Sequence, residues 1–153
     1  MRHGVGVTET PTGTPPEPLT PKGAEELARS PYMLLTTYRR DGTGVPTPLW
    51  CAVEGGVLYG STQAETGKVK RLRRDGTATV APCTNRGTPT GPAYAAHVEV
   101  LSGEAGHHAH GLIEKRFRLA KPLYLVSRLG LRLWPGRHYE VVGVAVRPPA
   151  RPS

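Results

Sequence analysis

The sequence predicts a mainly β fold with helices, a six-stranded antiparallel barrel flanked by helical segments, and three observations carry that prediction. Six short runs have the β-branched, aromatic or alternating character of strands. They come in the order helix, three strands, helix, two strands, helices, strand. Most connections between them are too short for the crossovers that a parallel sheet needs, which excludes a doubly wound fold. At 153 residues the chain suits one domain with a core of its own.

Residues 1–19 are rich in Pro, Thr and Gly and poor in apolar side chains, so a disordered arm is expected there. The barrel domain is expected over 20–148 and a short tail over 149–153, after Pro148 and Pro149. Thr20-Pro21 has the chemistry of a helix cap and first helical residue, and this helix should end near Ser30-Pro31. Tyr32–Tyr38 reads as the first strand, with a turn built on Asp41-Gly42 after it. The second strand runs from Val45 to about Glu54 and carries Pro46 and Pro48, two residues apart. Proline offers no N–H to a ladder, so that side of the strand is an edge or faces a ligand. Gly55-Gly56 turns the chain into a third strand, Val57–Ser61, and a short helix is expected from roughly Glu65 to Arg74. Thr77–Cys83 and Pro92–Leu101 are two more strands, joined by the turn Asn85-Arg86-Gly87. A helical region from Glu104 to Leu133, broken near Lys121-Pro122, precedes a last strand, Tyr139–Val146.

The net charge is +8 and the pI about 9.9, which favours anionic partners. Nucleic acid is disfavoured: aromatic residues make up only 6% of the chain, and no basic–aromatic alternation offers stacking platforms. No run approaches the ~18 apolar residues of a membrane helix, and no apolar signal core opens the sequence. A cytoplasmic protein is therefore expected, with Cys51 and Cys83 as buried free thiols.

The chemistry concentrates in 61–74. A strand ends at Ser61, hydroxyl residues Thr62 and Thr66 follow, and a helix opens near Thr66. Free N–H groups at a helix start, with hydroxyls beside them, make an anion site. Lys68 and Arg71 are three apart and share one face; Lys70 and Arg74 are four apart and share another. Val69 and Leu72 form the apolar stripe between them. The same spacing would also serve a solvated basic helix; the position directly after a strand and a hydroxyl-rich loop favours the anion site. Neither GxxxxGK[ST] nor GxGxxG occurs, so a P-loop or a Rossmann site has no support.

The stretch Thr66-Gly67-Lys68-Val69-Lys70-Arg71-Leu72-Arg73-Arg74, followed by Ala78-Thr79-Val80-Ala81-Pro82-Cys83, resembles the PPOX-class F420-dependent oxidoreductases, a pyridoxamine 5'-phosphate oxidase-like family. Gly87-Thr88-Pro89-Thr90-Gly91-Pro92-Ala93 resembles it too, as does the hairpin Leu35–Trp50. The resemblance runs from about Pro31 to Pro148. It departs at Gly76, where the family has proline, and over Arg116–Pro122.

This resemblance implies a split β-barrel homodimer with the cofactor at the subunit interface. The cofactor it implies is the deazaflavin coenzyme F420, with FMN as the alternative. Lys68 and Arg71 match the phosphate-contacting motif, with Ser61, Thr62 and Thr66 as hydroxyl candidates. Lys70, Arg73 and Arg74 are candidates for the anionic tail, and Thr47, Pro48, Leu49 and Trp50 match the segment along the ring system. The implied activity is hydride transfer between reduced F420 and a small organic substrate. A non-catalytic carrier of the same cofactor is the rival reading. No acid–base dyad stands out, in keeping with chemistry done by a cofactor, and no catalytic side chain is assigned.

Other residues have plainer readings. His107, His108 and His110 lack a third ligand of matching spacing, so they read as a solvated helix face and not a metal site. His97, Tyr32 and Tyr38 read as barrel residues, and Glu114 with Arg118 as an i,i+4 pair. Trp50 either packs in the barrel or flanks a bound ring. Trp134 reads as a core cap, and Tyr124–Trp134 as a segment packed on the barrel.

Overall fold

A computed structural model describes residues 16–120 and 141–149. In chain order these form β1 (Glu17–Pro18), α1 (Pro21–Leu27), β2 (Tyr32–Tyr38), β3 (Gly44–Trp50), β4 (Ala52–Glu54) and β5 (Val57–Gln63). α2 (Gly67–Arg74), β6 (Thr77–Cys83), β7 (Tyr94–Leu101), α3 (Gly103–Ala120) and β8 (Val141–Arg147) follow. All six expected strands are present. The second is cut in two at Cys51, whose N–H still donates to the Pro31 carbonyl (3.1 Å), one residue beyond the Tyr32–Trp50 pair; proline has no N–H to return that bond, and the ladder ends there. The Cys51 carbonyl accepts from Arg116 Nη1 at 2.6 Å.

The strands form one sheet in the order β3-β2-β6-β7-β8-β5-β4, antiparallel throughout except for β1, which pairs parallel with β7. The two ends of this order, β3 and β4, are consecutive in the chain with only Cys51 between them. The sheet therefore curls until its ends meet at that residue, but no ladder joins β3 to β5. Prolines explain the gap. Pro46 and Pro48 lie opposite Thr36 and Leu34 of β2. A ladder accommodates proline only where the missing N–H would have pointed away from the partner, so the free side of β3 lacks a donor at two alternate positions. The expectation that this strand forms an edge holds.

Inside the curl, Met33, Leu35, Leu58, Val80, Val98, Val144 and Val146 are at most 2% exposed. α1 enters one end with Ala24 and Leu27, its start fixed by the Thr20 side chain accepting from Gly23 N–H at 3.0 Å. α3 lies against β8 where Gly143 permits close approach: a Cβ there would sit 2.6 Å from that of Ala109. α2 buries Val69 and Leu72, worth roughly 1.5–3 kcal/mol each, and so presents Lys70, Arg73 and Arg74 outward.

Two expectations change. The arm does not extend to residue 19, because Glu17 and Pro18 pair with Tyr94 and Ala95 and Leu19 is buried in the core; residues 1–15 lie outside the described residues. His97 is exposed on the outer face, against Gly76, because the inward positions of β7 belong to Ala96 and Val98. Helix α2 opens at Gly67 with Thr66 as the residue before it, as expected. The expectations for Trp134, Tyr124–Trp134, residues 150–153 and the Arg118 side chain fall outside the description. The helix expected to reach Leu133 is described only to Ala120.

Candidate functional site

A cleft of about 360 Å³ opens where the sheet fails to close. β3 contributes Pro48, Leu49 and Trp50 to one wall, and β5 contributes Ser61, Thr62 and Gln63 to the other. Tyr32 of β2 and Ile113 of α3 extend the apolar side, and His110 of α3 the polar side. The volume falls within the ~300–1,000 Å³ of small-molecule sites. Trp50 both packs and lines the cleft: its ring stacks on buried Phe117 with centroids 4.8 Å apart. Five of the residues that the sequence singled out, Pro48, Leu49, Trp50, Ser61 and Thr62, thus come together in one place.

The basic helix begins at the rim. Thr66 is the residue before the first turn of α2, but its hydroxyl donates to the Gln63 carbonyl (3.1 Å), so no side chain caps the turn. The first-turn N–H groups remain available to an anion. Lys68 Nζ donates to Thr62 Oγ1 at 2.9 Å, and Arg71 Nε donates to the buried Thr37 Oγ1 at 2.7 Å. Lys68 is thus tied to β5 and Arg71 to β2, on opposite sides of the gap. The Arg71 guanidinium also lies over the first turn, where a Cβ on Gly67 would be 3.0 Å from its Nη1. Burial holds the Lys68 ammonium below its ordinary pKa of 10.5, and the adjacent Arg71 charge adds to the effect. Among the described residues no carboxylate pairs with either cation. Two like charges beside free N–H groups with no acid between them form an incomplete electrostatic unit, which an anion completes.

The other sequence-selected residues lie apart. Thr47 pairs with Leu35 and stands off the cleft. Lys70 and Arg73 are exposed. Arg74, exposed like Lys70, donates from Nη2 to the Tyr38 carbonyl at 2.8 Å and so ties the helix to β2.

His110 is the site residue that sequence reasoning missed. Its Nδ1 lies 3.0 Å from Ser61 Oγ, and its Nε2 lies 3.6 Å from Glu114 Oε2, one helical turn on. The i,i+4 spacing of His110 and Glu114 was available as a signal, but its encounter with Ser61 spans 49 residues. His108 turns instead to Glu54, Nε2 to Oε1 at 2.6 Å, so the three histidines do not converge. Among the described residues no group of three or more His, Cys, Asp or Glu side chains is placed to hold a metal.

No protein-family model and no curated protein sequence matches the chain. Solved structures do. A conserved hypothetical protein of Mycobacterium tuberculosis superposes with a TM-score of 0.55 at 22% identity, over 83% of this chain and 81% of that one. An F420 reductase gives 0.54 at 20% identity, over 82% and 93%. A Listeria innocua protein provisionally named a pyridoxamine 5'-phosphate oxidase gives 0.51 at 16% identity, over 83% and 90%. The fold is that of the pyridoxamine 5'-phosphate oxidase-like split barrels. The expected split-barrel architecture stands, with eight strands in a sheet that does not close.

Proposed function

We propose that the chain is an F420-dependent oxidoreductase that transfers a hydride between reduced F420 and a small electrophilic organic substrate, acting in the cytoplasm as a homodimer. The observation that carries this reading is the pair Lys68 and Arg71 at the uncapped start of α2, without a carboxylate partner among the described residues and beside a cleft walled by Trp50, Tyr32 and Pro48. A phosphorylated ligand with a flat ring fits both halves of that arrangement. The F420 reductase among the structural neighbours lends support.

When bound, the deazaflavin supplies the hydride chemistry. The chain's own residues do the rest. Lys68, Arg71 and the first-turn N–H groups hold the phosphate. Trp50, backed by Phe117, gives a rigid apolar wall along which a ring lies and from which water is excluded. Lys70 and Arg73 stand exposed further along the same helix, where an oligoglutamate tail would meet them. FMN shares the phosphate and the ring but not the tail, so F420 is the tighter ligand. The free edge of β3 borders the open cleft, and a second copy would cover both.

The test is to purify the protein, identify any bound chromophore, and titrate F420 and FMN in parallel by fluorescence, with light scattering on the same sample. Tighter binding of F420 by a dimer is expected. Equal or tighter binding of FMN removes the F420 preference, and binding of neither removes the oxidoreductase reading. A monomer at micromolar concentration removes the interface site.

A further inference from the structure

The contact between Ser61 and His110 has a direction. Ser61 Oγ and His110 Nδ1 are 3.0 Å apart in the wall of the cleft, and Glu114 Oε2 is 3.6 Å from the other ring nitrogen. In a neutral imidazole one nitrogen carries the proton and the other accepts, and the neighbours decide which. A carboxylate beside Nε2 favours the proton there. Nδ1 is then an acceptor, so the Ser61 hydroxyl donates its only hydrogen to it. What Ser61 turns toward the cleft is a lone pair.

We infer that Glu114, through His110, fixes Ser61 as a hydrogen-bond acceptor in the cleft wall, so that the site selects a ligand presenting an N–H at that point, as the imide or lactam of a flat heterocycle does. His110 and Glu114 are positioning residues; Ser61 is the group that meets the ligand. This deepens the proposed function, on which it rests, by assigning the polarity of one contact. The opposite tautomer, with the proton on Nδ1, makes Ser61 a donor and selects a ligand acceptor instead. Exchanging one polarity for the other leaves two donors or two acceptors facing each other, which costs about tenfold or more in affinity.

Two measurements test it. The first needs no ligand: two-bond ¹H–¹⁵N correlation spectra of the histidine rings at neutral pH, with His110 assigned by its loss in His110→Gln. A ring protonated on Nε2 alone is expected; protonation of Nδ1 overturns the inference. The second titrates 5-deaza-FMN and its N3-methyl derivative, which has the same ring and phosphate but no imide donor. The parent should prefer the unmethylated ligand by about tenfold or more, and Ser61→Ala and Glu114→Leu, which leaves no acceptor beside Nε2, should each reduce that ratio to about twofold. Exclusion of the methyl group by shape alone would survive Glu114→Leu, which removes no atoms from the cleft wall, so an unchanged ratio in that variant overturns the inference. So does a parent that binds both ligands alike, leaving the proposed function standing. A parent that binds neither removes both. Melting curves of the variants show whether a lost ratio reflects lost fold, and Ser61→Thr, which keeps the hydroxyl, should restore it.

Discussion

Arg71→Ala separates a phosphate clamp from a merely basic helix. Arg71 is held by its Nε–H on the Thr37 hydroxyl, which leaves both terminal nitrogens without a hydrogen-bond partner among the described residues, over the first turn of α2. A charge-assisted contact from such a fixed guanidinium is worth roughly 1.5–3 kcal/mol. Its loss therefore weakens cofactor binding by about ten- to a hundredfold. The fold loses one contact as well, the charge-assisted bond to the buried Thr37 hydroxyl, worth roughly 1.5–3 kcal/mol, while the buried stripe of Val69 and Leu72 is untouched; melting curves read that loss apart from the loss of binding. Lys70→Ala is the control, because Lys70 is exposed and only a tail could reach it; it should weaken F420 binding less than Arg71→Ala and leave FMN binding nearly unchanged. The assay is fluorescence titration of both ligands at low and high salt. Screening erases the Lys70 effect but leaves most of the Arg71 effect, since Arg71 is partly buried and directly bonded. If Arg71→Ala, Lys70→Ala and the parent bind alike, α2 is no part of the site and the reasoning fails.

Lys68 sets a pH dependence. Its pKa is lowered by burial and then by Arg71, so folding disfavours the charged amine; that penalty is present in full at neutral pH and fades as pH rises toward the ordinary 10.5. Binding a phosphate needs the charge, so affinity should fall as pH rises through the lowered pKa, and Lys68→Arg should flatten the fall; a parent curve flat up to the ordinary lysine range would refute the placement. Gly143→Ala should destabilise by roughly 1–3 kcal/mol in urea unfolding, because the new methyl meets Ala109, and adding Ala109→Gly should restore part of the loss; no change on Gly143→Ala would contradict the α3–β8 contact. Cys51 is fully buried, with its thiol pushed up to about 11 by burial, so iodoacetamide should label it only on unfolding, and stoichiometric labelling of the native protein at Cys51 would show that its surroundings open.

Much of the fold was legible because local chemistry set it. Tyr32–Tyr38 is a strand in sequence and in space, and Thr20-Pro21 starts a helix as their side chains require. The spacing of Pro46 and Pro48 announced an edge, which became one side of the cleft. What could not be read depends on partners far along the chain. Nothing local marks Cys51 as a break: Ala52 and Val53 continue the strand pattern, and the interruption arises from Pro31 and Arg116. Leu19 sits in a stretch of arm-like composition and is ordered only because β7 and the core receive it. His110 reads as one of three helix histidines until β5 brings Ser61 to it. The hydroxyls were named as one set, yet Thr62 meets Lys68 while Thr66 is consumed by Gln63.

The position of β8 bears on how the molecule comes together. It is the latest of the described strands to be synthesised, yet it lies in the interior of the sheet, between β7 and β5. Until it arrives, the nascent chain holds two separate pieces, β3-β2-β6-β7 and the hairpin β5-β4, each with a bare edge. Val142, Val144 and Val146 then enter the core together as β8 pairs with both edges. The pairing of Leu58 with Val146 closes a loop across most of the domain, the kind of distant contact that slows assembly. During that wait β5 and β7 are open to strands of other molecules. A chain halted before residue 141 would therefore not be a slightly shorter barrel; it would be two adhesive fragments, and the cleft that lies between β3 and β5 would have no walls held in place.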